Sequence, residues 1–225
     1  MMIEKFAEMI KECSSIVFFG GAGVSTESGV KDYRSQDGLY NTVKEYGVPP
    51  EEILSHDFFF QNTETFYDFY RKYFIIEVEP NNAHKALAKL ENMGKLIAVI
   101  TQNIDGLHQR AGSKIVIELH GTAEKFTCAS CGKKGDTDKV LSEIKDKDVP
   151  RCECGGIMKP KVVLYGENLE HIKEGNPYQF RTTFVKYIYE PMYKFFGNPA
   201  NKEYILSEYP DFPFDFPDPY SPEKK

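Results

Sequence analysis

A short apolar run, Ile16 to Phe19, leads straight into the glycine-rich stretch GGAGVSTESG, and this junction restricts the fold more than any other feature of the chain. The apolar run reads as a buried strand. Gly20, Gly21 and Gly23 then let the backbone turn tightly and approach a ligand with no Cβ in the way. Ser25, Thr26 and Ser28 bring hydroxyls to the point where a helix is expected to begin, and unpaired N–H groups at such a start favour a phosphate. Strand, glycine turn and helix start in succession are the opening of a dinucleotide-binding unit. The spacing is not GxGxxG, so the stretch alone is a weak signature.

The pattern continues downstream. Pro80 interrupts an acidic, aromatic-rich segment, Asn81 or Asn82 can cap a helix over residues 83–93, and Gly94 closes it. A second apolar strand, Leu96 to Ile100, follows directly and runs into TQNIDGLH. A third, Ile115 to Ile117, read as buried, runs into ELHG. Strand, helix and strand with short joints give a parallel sheet with helices on its faces. Within residues 51–79, Phe66, Phe69, Tyr70 and Tyr73 fall on one side of a helix; they read as the small core of a helical subdomain, with a cofactor-lining role as the alternative. His56 and His84 read as structural, and His108 stands where it can border a cofactor site.

Five cysteines are present, four of them as Cys128-x-x-Cys131 and Cys152-x-Cys154. Four thiolates suit tetrahedral zinc, each short knuckle letting two sulfurs reach one ion at about 2.3 Å. The closed ligand set makes the metal structural; a redox dithiol is the alternative. The surrounding Lys-, Asp- and Gly-rich segment offers few apolar residues, so it is expected to need such a staple. Cys13 reads as a small, partly buried apolar residue.

GAGVSTESG, KDYR, TQNIDGLH and ELHG, in this order and spacing, resemble the sirtuin family, the NAD-dependent protein-lysine deacylases. The resemblance extends from near the N-terminus to about Leu169. It implies an α/β fold, a Rossmann-like parallel sheet with a small zinc-binding module, in which the second half of the family's sheet is not found. It implies a domain over residues 1–169 with a helical insertion at about 41–79 and the zinc module at about 125–158, followed by a divergent tail at 170–225. By resemblance Gly21, Ala22, Gly23 and Thr26 belong to the loop around the phosphates of NAD. Asp32, Tyr33 and Arg34 fold over its nicotinamide side, and Gln102, Asn103, Ile104 and Asp105 line the carboxamide pocket. His120 is the general base acting on the nicotinamide ribose hydroxyl, a role an imidazole fills by accepting the hydroxyl proton. Residues 163–168 (VLYGEN), including Val163, Leu164, Tyr165, Gly166 and Glu167, resemble the segment that holds an acyl-lysine peptide by strand pairing. The family's four-cysteine zinc module falls at Cys128, Cys131, Cys152 and Cys154. The implied reaction releases nicotinamide and transfers the acyl group of a protein lysine to ADP-ribose. An NAD hydrolase and a non-enzymatic binding remnant are the alternatives.

Lys31 stands where the family usually has Pro, and Tyr33 where it usually has Phe. After Leu169 no G-[TS]-S-L loop is found, and the sequence ends in EYPDFPFDFPDPYSPEKK, whose Pro/aromatic alternation forbids helix. This tail reads as the product of truncation or a frame change, as a segment seeking a partner through its aromatics, or as a replacement for the missing strands. A sheet edge left open after Val162 to Leu164 is the expected consequence. A net charge of −6 gives no footprint for nucleic acid or anionic membranes. No signal peptide or membrane span is read, so the expected location is the cytoplasm.

Overall fold

The computed structural model of the protein describes residues 2–13, 15–32 and 38–167. Tyr33, Arg34, Asn168 and the tail lie outside the described residues. After an opening helix α1 (Met2–Glu12), strands β1 (Ile16–Gly20), β2 (Leu96–Thr101) and β3 (Val116–Glu118) form a parallel sheet in the order β1-β2-β3. Gly20 pairs with Thr101 and Thr101 with Glu118, so the three strands end level. That register brings three loops, distant in sequence, to one edge.

Strand β2 has neighbours on both sides, and Ala98, Val99 and Ile100 are fully enclosed, as a continuous apolar run in a parallel sheet requires. The third strand corrects the expectation from its composition: Val116, Ile117 and Glu118 are only half-buried, because β3 pairs on one side alone among the described residues. One face of the sheet is covered by α6 (Asn82–Asn92), whose Leu87 packs with Leu96 and Val99. Asn81 starts that helix. Its Oδ1 accepts from the N–H groups of Ala83 (2.9 Å) and His84 (3.4 Å), while His84 Nδ1 accepts the N–H of Asn81 at 3.3 Å. The reciprocal arrangement is a capping box in which an imidazole replaces the usual Glu or Gln.

Between β1 and β2 lie α2 (Val43–Tyr46), α3 (Pro50–Ile53), α4 (His56–Gln61) and α5 (Thr63–Tyr73). The segment PPEEILSHDFFF makes two helices, since Ser55 caps α4 by accepting from Phe58 N–H at 3.2 Å. The aromatic stripe of α5 does not close a core of its own. Phe66, Tyr67, Phe69 and Tyr70 share one cluster with Phe126, Val140, Ile144 and Met158 from the cysteine-rich part of the chain. Beyond the short helix α7 (Leu107–Arg110), β4 (Gly121–Cys128) and β5 (Met158–Val162) pair antiparallel, and α8 (Thr137–Lys145) sends Val140 and Ile144 inward. The buried phenols find acceptors: Tyr67 donates to the Met158 carbonyl and Tyr70 to that of Ala123 at 3.1 Å.

Two expectations are therefore corrected. The cysteine-rich segment contributes to a substantial apolar core, so it is not held by metal ligands alone. Val162 is paired with Gly121 in the β4–β5 ribbon, so the open edges of the described parallel sheet are β1 and β3. Among the described residues no helix is long and apolar enough to cross a membrane.

Candidate functional site

The loops after the three parallel strands are laced to one another by backbone hydrogen bonds. Gln102 N–H donates to the Gly20 carbonyl (3.0 Å), Leu119 N–H to that of Thr101 (2.9 Å) and Ala123 N–H to that of Ile104 (2.9 Å). His120 sits in the last of these loops, half-exposed, with Nδ1 3.0 Å from the Gln102 carbonyl oxygen. A carbonyl only accepts, so Nδ1 carries the proton, and in the neutral ring Nε2 is left as the acceptor. That tautomer is the one a general base needs. Gly121, next in sequence, has φ +78°, and a Cβ there would stand 2.1 Å from the Lys161 carbonyl oxygen. No other residue fits, and the close crossing lets Val163 N–H bond the His120 carbonyl at 3.0 Å.

These loops wall a cavity of about 980 Å³. Ala22, Gly23, Asp32, Gln102, Asn103, Ile104, Asp105 and His120 line it, together with Val163, Leu164, Tyr165, Gly166 and Glu167. The glycine loop, the amide-bearing loop, the histidine and the VLYGE strip thus face one space. Gly21 stands just behind the wall, where a Cβ would lie 3.1 Å from Gln102 Oε1. Thr26 is exposed and donates to the Gly23 carbonyl at 3.0 Å, away from the lining.

Ser25 departs from its expected place. The turn after Gly21 is a 3-10 helix, Ala22–Ser28, not the start of an α-helix, and it carries Ser25 inward. The fully buried Ser25 hydroxyl donates to Asp105 Oδ2 (2.7 Å) and accepts from Asn103 Nδ2 (2.9 Å). His84 Nε2 stands 3.4 Å away. Since the Asn81 N–H occupies Nδ1 of His84, Nε2 bears the hydrogen and points it at Ser25. Asp105 Oδ1 accepts Leu107 N–H at 3.0 Å. Asn103 and Asp105 are consequently fixed in orientation by a buried serine that sequence reading did not single out as a pocket residue. His108 also departs from expectation. It does not border the cavity but lies behind it, its ring 4.7 Å from that of His84 and 5.9 Å from Phe18. Neither of its nitrogens has a hydrogen-bond partner among the described residues, and burial pushes its pKa down to about 4. Burial likewise lowers the pKa of His84. Tyr70, Tyr73 and residues 74–78 complete the wall from the helical side, so part of the aromatic stripe reaches the site while Phe66 and Phe69 stay in the core.

The four paired cysteines converge. Their sulfurs all lie within 4.8 Å of one another, with Cys128–Cys154 at 3.5 Å and Cys131–Cys152 at 3.7 Å. Zinc–sulfur bonds of 2.3 Å at tetrahedral angles need sulfurs about 3.8 Å apart, so the cluster fits that ion and leaves no open position. The N–H groups of Ser130 and Cys131 approach Cys128 Sγ at 3.4 and 3.5 Å, an arrangement that favours a thiolate. Cys13, read as partly buried, is exposed.

A parallel sheet with a ligand cavity at its carboxyl edge, backed by a four-thiolate metal module, defines an α/β nucleotide-binding protein with structural zinc. The Sir2 family model matches residues 21–180, and the chain belongs to the Sir2 family. The NAD-dependent protein deacetylase of Clostridium acetobutylicum is 52% identical over 170 residues, 75% of this chain and 69% of the relative. That of Clostridium tetani is 54% identical over 175 residues, covering 76% and 70%. Among solved structures, a Sir2 enzyme superposes with a TM-score of 0.67 at 41% identity, covering 76% of this chain and 68% of that one. A Sir2 structure with a p53 peptide and NAD+ gives 0.65 at 39%, covering 77% and 70%.

Proposed function

We propose that this protein is an NAD-dependent protein-lysine deacylase, removing an acetyl group from lysine with release of nicotinamide and transfer of the acyl group to ADP-ribose. The observation that carries this reading is the single cavity shared by the glycine loop, residues 102–105, His120 and residues 163–167. When bound, NAD supplies the electrophilic ribose carbon and the nicotinamide leaving group. Ala22 and Gly23 take the phosphates, Gly21 and Thr26 shape the loop that presents them, with Thr26 bonded to the Gly23 carbonyl, and Asp32, Tyr33 and Arg34 close over the nicotinamide side. The amides of Gln102 and Asn103, with Asp105 and Ile104, receive the carboxamide, the orientation of Asn103 and Asp105 being preset by Ser25. His120 Nε2 accepts the proton of the ribose hydroxyl, while the Gln102 carbonyl holds Nδ1–H and keeps the ring in the reactive tautomer. Val163, Leu164, Tyr165, Gly166 and Glu167 offer the backbone strip along which an acyl-lysine peptide lies. Zinc on Cys128, Cys131, Cys152 and Cys154 takes no part in the reaction. Paired thiolates reserved for a metal suit a reducing compartment, so the location is the cytoplasm. The partners are acylated proteins, not nucleic acid or membrane.

Mass spectrometry of an acetylated peptide incubated with the protein and NAD tests the reading. Acetyl-ADP-ribose with loss of the acetyl group from the peptide is expected. Plain ADP-ribose over an unchanged peptide would instead make the protein an NAD hydrolase, and no product would make it a binding protein.

A further inference from the structure

Strand β5 ends in a side-chain clamp that the reaction itself does not call for. Lys159 and Glu167 are nearly enclosed, with side chains 13% and 10% exposed. Lys159 Nζ donates to the Val162 carbonyl at 2.9 Å and to Glu167 Oε2 at 3.1 Å. The same Glu167 oxygen accepts the N–H of Leu164 at 2.9 Å, and Glu167 N–H returns a bond to the Leu164 carbonyl at 3.0 Å. Residues 164–167 are therefore closed on both sides, by backbone and by carboxylate, around Gly166, whose φ of +85° suits the third position of a tight turn. A charged pair this enclosed is rarely kept for stability alone, because desolvation offsets most of the attraction. What it does here is fix one short strip of cavity wall.

We propose that Lys159 and Glu167 are positioning residues for the peptide substrate: the clamp sets the shape of the 163–166 strip before the acyl-lysine chain lies along it. The inference rests on the deacylase reading and adds to it the groups that decide peptide affinity apart from NAD affinity. Within the clamp the strip is also tied to the helical side, through Tyr165 N–H to the Leu54 carbonyl (2.9 Å) and His56 N–H to that of Tyr165 (2.9 Å). Tyr165 is thereby anchored on one side of Gly166, and Glu167, held by Lys159, on the other. Preordering a recognition strip removes an entropic cost that would otherwise be met on binding, so its loss weakens the peptide and leaves the other substrate alone.

The test compares the full zinc-loaded protein with Glu167→Ala, Glu167→Gln, Lys159→Met and Lys159→Arg. Two readouts are taken: amide exchange at Leu164, and separate KM values for an acetyl-lysine peptide and for NAD. Glu167→Ala and Lys159→Met are expected to speed exchange at Leu164 and raise the peptide KM roughly tenfold, with the NAD KM within about twofold of wild type. Glu167→Gln keeps an acceptor for Leu164 N–H and should fall between, and Lys159→Arg should restore most of the affinity. Faster exchange with an unchanged peptide KM would overturn the positioning role while leaving the deacylase reading intact. Unchanged exchange would show that the clamp does not hold the strip, and a parallel rise in both KM values would reduce it to general stability. A wild-type protein that fails to bind the peptide at all would overturn the deacylase reading and this inference with it.

Discussion

Around the parallel sheet, the buried apolar cluster consists of Leu87, Leu96 and Val99, with Ile16, Phe18, Leu90 and Val116 at its margin. In the body built from α3 to α5, α8, β4 and β5, sixteen buried residues form one cluster, Phe59, Phe66, Tyr67, Phe69 and Tyr70 among them. Yet the sheet's carboxyl edge carries His120 and the amide loop, while the better-packed body carries none of the reacting groups. The difference separates two tasks. The body supplies cohesion and one wall of the cavity, and the thinly covered sheet supplies the level strand ends on which three loops can meet. Phe19, at the outer strand β1, is 56% exposed, and α1 leaves Ile3, Phe6 and Met9 exposed as well, which emphasises how little apolar cover this side has among the described residues.

The sharpest way to break this comparison is to remove the metal. Structural zinc in small modules is worth on the order of 10 kcal/mol. Cys128 belongs to the large cluster along with Val140 and Ile144, so chelation or Cys128→Ser should loosen the body beyond the cysteine-rich segment. Circular dichroism and a thermal scan with and without chelator would register it. A body that keeps its midpoint without zinc would show that aromatic packing alone suffices.

Packing itself can be weighed next. Phe66→Ala should cost about 3–5 kcal/mol and Leu87→Ala about 2 kcal/mol in urea denaturation, because the first opens a cavity among the rings of Phe59, Tyr67 and Tyr70 and the second belongs to a much smaller cluster. The reverse order would place the stabilising core at the sheet. His120→Ala should then separate chemistry from cohesion. Product formation should fall about 10²-fold or more, roughly 2.7 kcal/mol of barrier, while the unfolding free energy stays within about 0.5 kcal/mol. Wild-type turnover by this variant would remove His120 from the mechanism.

The smallest effect concerns acid. Buried His108 has its pKa lowered to about 4 against about 6.5 in the unfolded chain, and that of His84 is lowered too. A depressed folded value means the unfolded state takes up protons first, so stability is complete above about pH 6.5 and declines as pH falls toward 4. Stability should fall steadily over that window, and His108→Leu should flatten the decline. A pH profile identical in both proteins would place the acid sensitivity elsewhere.

Much of this was legible in the chain. The glycine turn, the cysteine spacing and the Asn81 cap are local demands of backbone geometry or metal coordination, so they are written in neighbouring residues. The three apolar runs declare strands, though only the central one, with neighbours on both sides, is enclosed. What periodicity could not supply were partners set by folding over long separations. Ser25 meets Asp105 across 80 residues, and Tyr67 meets Met158 across 91. Composition suggested hydroxyls for a phosphate and a poorly packed zinc segment, and the fold used both differently. A serine's destination depends on which way its turn rotates, and a helix's apolar face on which element arrives opposite it. Thus the class of protein and its metal module were determined by sequence alone. The tautomer of His120, the pairing of β5 with β4, the burial of His108 and the Lys159–Glu167 clamp were decided only by tertiary structure, because each depends on a neighbour that local sequence does not name.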